Sequence, residues 1–149
     1  MSPMAFGLNL LATGAGVSFV VQQAVNASLR AEIGSPWWAG CVSYLGGTLA
    51  MLAMVVAMRE PWLSGQMVNR SNWVSWTGGV FGAVYIAISI LLLPRLGAAT
   101  TVALIVLGQM LGSLAFDHFA LLGTPYHPIN LIRLTGAAFL VIGVVLIRL

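Results

Sequence analysis

The stretch GGVFGAVYIAISILLLPRLGAATTVALIVLGQMLGSLAF, residues 78–116, carries one charged side chain, Arg95. A helix needs about 20 apolar residues to cross a bilayer, so this stretch is one span, a break and a second span. The break is Pro94-Arg95-Leu96-Gly97, where proline removes a backbone donor and glycine permits a turn. Working outward, the third span begins at Trp73 after a polar loop from Ser64 to Asn72, and the fourth reaches Phe119. Upstream lie a first span over 4–29 and a second over 37–58; downstream, Gly123-Thr-Pro-Tyr-His-Pro128 introduces a fifth over 129–147. The expected set is therefore 4–29, 37–58, 73–93, 98–119 and 129–147. Trp37, Trp38, Trp62, Trp73 and Trp76 all fall at span ends, where indole rings favour the headgroup zone. Lipid offers the backbone no hydrogen bonds, so each segment must be helical; the alternating segments of a transmembrane barrel are missing.

Composition supports the same reading. Of 149 residues 60% are hydrophobic and 6% charged, with mean hydropathy +1.00. Soluble domains carry roughly 25% charged residues, so this chain cannot cover a water-facing surface. We expect an all-α polytopic membrane protein, one five-helix domain over 1–149, with its first span retained and no room for an extramembrane domain. Net charge is +3, from six scattered Arg and no Lys, which forms no basic patch for nucleic acid. Cys41 is the single cysteine and cannot form an internal disulfide. His118 and His127 with one cysteine supply no tetrahedral metal set, and the motifs of zinc peptidases, P-loop enzymes and α/β-hydrolases are lacking. The reading is of a non-enzyme without metal or cofactor.

Five spans place the termini on opposite sides. One side receives Arg30, Arg95 and Arg148; the other receives Arg59, Arg70 and Arg133. Orientation follows an excess of Lys and Arg in short cytoplasmic loops, and three against three is no excess. Either the chain inserts both ways or a weak bias in one loop decides. Dual insertion is the reading taken here. An upward and a downward copy would then pair about an axis in the membrane plane, forming from two chains the inverted repeat that many transporters build in one.

Small and polar residues form stripes, since positions three or four apart share a helix face. Span one carries Gly14, Ser18, Gln22 and Asn26, with Gln23 beside them; span two carries Ala39, Ser43, Gly47 and Thr48. Span three carries Gly78, Gly82, Tyr85 and Ser89, and span four Gly108, Gly112, Gln109, Ser113 and Asp117. Small faces are the ordinary means of helix association in lipid, so Gly14, Ser18, Gly47, Gly78, Gly82, Gly108 and Gly112 are expected to pack. Amides are costly in hydrocarbon unless paired or wet. Gln22, Asn26, Ser43, Tyr85, Ser89 and Gln109 are accordingly the candidate cavity lining. Tyr44 is either lining or an interhelical contact. No charge lies at the centre of any span: Glu32 and Glu60 are in loops and Asp117 is in the last turn of span four. A cargo that is neutral, zwitterionic or anionic fits this better than a lipophilic cation. Asp117-His118 reads as solvated interfacial residues, with a proton-handling pair as the alternative.

These residues carry a resemblance. Gln22-x3-Asn26-x2-Leu29-Arg30, Gly34-Ser35-Pro36, Ser43-x3-Gly47-Thr48, Gly78-Gly79-x2-Gly82-Ala83-x-Tyr85, Pro94-x-Leu96-Gly97-Ala98-Ala99, Gly108-Gln109 and Asp117-His118-Phe119-x3-Gly123 resemble, in order, the YdcZ-like family. These are small bacterial inner-membrane proteins of the drug/metabolite transporter superfamily. The resemblance implies a five-helix half-unit, occurring in paired, fused or dual-topology forms, and an exporter with no substrate transferable by motif. One departure is Ala120, where a glycine often follows Asp-His-Phe. The reading is a secondary transporter of a small polar or drug-like metabolite, working by alternating access as an antiparallel homodimer. Spans one to four of both copies would enclose the cavity, and span five, with Gly136 and Gly143, would lie peripherally or support the dimer. A non-transporting scaffold or accessory subunit and a passive solute channel are the alternatives.

Overall fold

The computed structural model describes residues 2–149. Among these there is no strand; the chain is helical, in the order α1 (Pro3–Ile33), α2 (Pro36–Ala57), α3 (Gly65–Arg70), a 3-10 turn (Trp73–Thr77), α4 (Gly78–Leu96), α5 (Ala98–Phe119), a second 3-10 turn (Leu121–Gly123) and α6 (Leu131–Arg148). Five segments are long and apolar enough to cross a membrane: Pro3–Ile33, Pro36–Ala57, Trp73–Leu96, Ala98–Phe119 and Leu131–Arg148.

Local chemistry sets the boundaries. Ser2 caps α1 by accepting from the Ala5 N–H, and Pro3 occupies the first turn, where no donor is needed. The helix stops at Gly34, whose left-handed φ of 73° turns its N–H onto the Arg30 carbonyl. Ser35 then accepts from the Trp38 N–H and Pro36 opens α2. Three consecutive residues thus end one span and start the next. The polar loop read from sequence contains one and a half turns of order: Ser64 caps α3 through the Met67 N–H, and Asn72 caps the 3-10 turn through the Val74 N–H at 3.1 Å. Asn130 does the same for α6, accepting from Arg133 N at 2.9 Å.

The chain divides into two compact units, one up to Arg95 and one from Leu96 to Leu149. In the first, α1, α2 and α4 meet around Ala39, Ile86 and Ile90, with Leu29, Tyr44 and Tyr85 packed against them. Close approach needs small residues here. A methyl on Gly82 would run into the Tyr44 hydroxyl, whereas one on Gly40 would sit 3.6 Å from Ile86 Cγ2, an ordinary contact. In the second unit α5 and α6 form an antiparallel hairpin, in which Leu114, Ala137 and Val144 are buried. Its connection is strapped by polar bonds. Arg133 Nη1 reaches Asp117 Oδ2 at 3.0 Å, His118 Nδ1 accepts from Ile129 N, and Thr124 Oγ1 donates to the Phe116 carbonyl.

Burial is not sorted by polarity as it is in a water-soluble fold. Gln23, Asn26, Ser89 and Thr101 are buried, whereas Leu45, Leu49, Leu52, Val17 and Val21 lie exposed. Where the solvent is hydrocarbon, apolar side chains gain nothing by turning inward and polar ones gain a partner.

Candidate functional site

The first unit contains a groove of about 530 Å³ lined by Phe19 and Gln22 of α1, Ser43, Tyr44, Gly47, Thr48 and Met51 of α2, and Tyr85 and Ile86 of α4. Helical spacing brings these residues together. Phe19 and Gln22 are three apart, and Ser43, Gly47, Thr48 and Met51 follow one face of α2. Tyr85 stands midway along the span Trp73–Leu96, and Gly47 midway along α2. The groove therefore lies at mid-span depth by residue count, where membrane transporters place their substrate sites.

Its polar groups are partly satisfied. Gln22 Nε2 donates to Ser43 Oγ at 3.4 Å, a long bond outside the usual range for N–H to O pairs. Gln23 Nε2 donates to the Tyr85 hydroxyl, fixing that phenol from behind. The Gln23 Oε1 is buried and has no partner among the described residues. Phe19 stacks on the Tyr85 ring with centroids 5.0 Å apart and planes at 26°. The lining thus combines an aromatic pair that carries a hydroxyl with the polar side chains of Gln22, Ser43 and Thr48.

Of the six lining candidates named from sequence, Gln22, Ser43 and Tyr85 line the groove. Asn26 and Ser89 are buried on the α1 and α4 side but do not line it; Ser89 Oγ donates back to the Tyr85 carbonyl at 2.9 Å. Gln109 lies on α5 in the second unit, exposed. Among the packing candidates, Gly47 lines the groove and Gly82 abuts Tyr44. Gly14, Gly78, Gly108 and Gly112 have open space beside them, and Ser18 is exposed. Phe19, Met51 and Ile86 were not selected from sequence, because in a chain this apolar nothing marks one hydrophobic side chain over another. Their helical offset from Gln22, Ser43 and Tyr85 is the signal that could have found them.

The described residues contain no group of three or more His, Cys, Asp or Glu able to hold a metal ion. The groove itself bears no acid and no base. Glu32 accepts from Ser28 Oγ, and Arg30 Nη1 is spent on the Ile90 carbonyl at 2.8 Å. This last bond has a clear cause. Pro94 lies inside α4 without an N–H, so the carbonyl four residues earlier, that of Ile90, has lost its helical partner. Arg30 supplies the missing donor.

Five helices long and apolar enough to cross a membrane define a multi-pass membrane protein, here with a mid-span groove that carries an amide and hydroxyls. The comparisons with known proteins narrow this class. Residues 7–146 match the family described as "Putative inner membrane exporter, YdcZ", and the chain belongs to that family. The chain is similar to Inner membrane protein YdcZ of Escherichia coli (strain K12), at 26% identity over 129 residues, covering 87% of this chain and 86% of that protein. No solved structure matches it. The protein is thus a bacterial multi-pass inner-membrane protein of that family.

Proposed function

We propose that this protein is a secondary transporter that moves a small polar or drug-like metabolite by alternating access, with the groove of Gln22, Ser43, Thr48 and Tyr85 as its solute site. The observation that carries the reading is the placing of amide and hydroxyl groups at mid-span depth on three helices, beside a space of about 530 Å³. That volume lies in the range of roughly 300–1,000 Å³ typical of small-molecule sites. Polar side chains at that depth are costly in lipid and mark pathways for solutes. Membership of a family of exporters supports the same reading. The working unit is an antiparallel homodimer, which supplies the inverted repeat on which alternating access operates.

The test is water access. In a Cys41→Ala background, single cysteines replace Thr48 or Met51, which line the groove, and Leu45 or Leu49, which lie off the lining face of the same helix. A membrane-impermeant maleimide should label the first pair and spare the second. Absence of labelling at both Thr48→Cys and Met51→Cys would remove the aqueous cavity that transport requires.

A further inference from the structure

We infer that the groove takes an uncharged, ring-bearing solute that offers both a hydrogen-bond acceptor and a hydrogen-bond donor, the chemistry of an aromatic amide. This rests on the solute-site reading above and narrows it.

The first argument is charge. None of the nine lining residues is an acid, a lysine, an arginine or a histidine. Several charged side chains of the spans are committed elsewhere. Arg30 holds the Ile90 carbonyl, Glu32 faces Ser28, and Asp117 is paired with Arg133 in the other unit. An ion entering the groove would lose water and gain no counter-charge, and an unpaired buried charge is strongly unfavourable. Aromatic faces can hold a cation when they surround it. Here Phe19 and Tyr85 spend one face each on the other, at 5.0 Å, and Tyr44, the third ring lining the groove, turns its hydroxyl against Gly82.

The second argument is hydrogen-bond inventory. Ser43 Oγ accepts from Gln22 and the Tyr85 oxygen accepts from Gln23, so both hydroxyls keep their own O–H to donate. Gln22 gives an N–H to Ser43 and keeps its Oε1 as an acceptor. Ser43, Tyr44, Thr48 and Tyr85 thus bring hydroxyls to the groove and Gln22 an amide acceptor, the complement of a carbonyl beside an N–H. The 3.4 Å length of the Gln22 bond makes it easily exchanged for a bond to the solute. Met51 and Ile86, with the aromatic pair, supply an apolar wall for a flat ring.

Three nearly isosteric probes separate the charge states: 2-naphthamide, 2-naphthoate and 2-naphthamidinium, at neutral pH. The full chain carrying Cys41→Ala and Thr48→Cys is placed in lipid nanodiscs, and each probe is titrated against maleimide labelling of the new cysteine. The amide should protect at a concentration at least about tenfold below either ion, a difference of about 1.4 kcal/mol. Adding Gln22→Leu or Ser43→Ala, whichever purifies monodisperse, should erase most of that preference. Protection by an ion at equal or lower concentration overturns the inference and leaves the groove as a solute site. A reactive cysteine that no probe protects also overturns it. A cysteine unreactive from the start overturns the inference, and together with an unreactive Met51→Cys it overturns the transport reading as well.

Discussion

Ala120 closes α5 with φ 49° and ψ 41°, and its N–H bonds back to the Phe116 carbonyl. A side chain in this left-handed region costs about 1 kcal/mol relative to glycine, which adopts it freely. The position is the one at which the family resemblance leads one to expect glycine. The cap survives because the connection beyond it is held from several points, by Thr124 on Phe116, by His127 N on the Asp117 carbonyl, and by Arg133 on Asp117. Ala120→Gly should therefore stabilise the protein by about 0.5–1 kcal/mol, read as a higher midpoint of thermal unfolding in detergent. A lower midpoint would mean that Ala120 makes contacts outweighing its strain. At the same scale, the sequence revealed residues by their polarity alone. Gln22, Ser43 and Tyr85 could be selected because amides and hydroxyls are conspicuous in a span, whereas Phe19 and Met51 could not.

At the scale of elements, α1 and α4 are joined by a polar seam rather than an apolar one. Gln23, Asn26 and Arg30 recur along one side of α1; Gln23 meets Tyr85 and Arg30 meets the Ile90 carbonyl, with Asn26 buried between them. The Arg30 bond exists to serve Pro94, and this yields a double-mutant test. Arg30→Ala leaves a partly buried carbonyl unpartnered and should cost about 1.5–3 kcal/mol, the range for hydrogen bonds to charged groups. Pro94→Ala restores an N–H to that carbonyl, so in its background Arg30→Ala should cost little. Additive losses would show that Arg30 acts independently of the proline. Spans were legible from sequence because bilayer thickness fixes their length and proline and glycine punctuate them. α3 was not, since six residues held by a serine cap leave no hydrophobic period to read. The seam was half legible. Stripes told which residues share a face, but not which neighbouring helix that face meets, because in hydrocarbon the apolar pattern no longer points inward.

At the scale of the whole molecule, the question is how the chain sits in its membrane. Three arginines fall on each side, and every connecting segment is short enough for charge to orient it. A balance of this kind lets neither orientation win, and the expectation is that copies insert in equal numbers each way. The check uses one cysteine placed beyond Leu149 in a Cys41→Ala chain, with an impermeant maleimide applied to intact and to opened cells. About half of the protein should label in intact cells and all of it in opened ones. The same logic supplies a control within the protein. Adding two lysines to the loop holding Arg59 and Arg70 makes the balance five against three, and labelling should move towards one extreme; adding them beside Arg95 should move it towards the other. If labelling of the parent chain is all or none, a single orientation holds, and an inverted partner would have to be a different chain. If it is half and responds to both loops in opposite directions, the chain carries both halves of an inverted pair. The groove of α1, α2 and α4 then exists in each membrane in two copies facing opposite ways, as exchange between the two sides of a transporter requires.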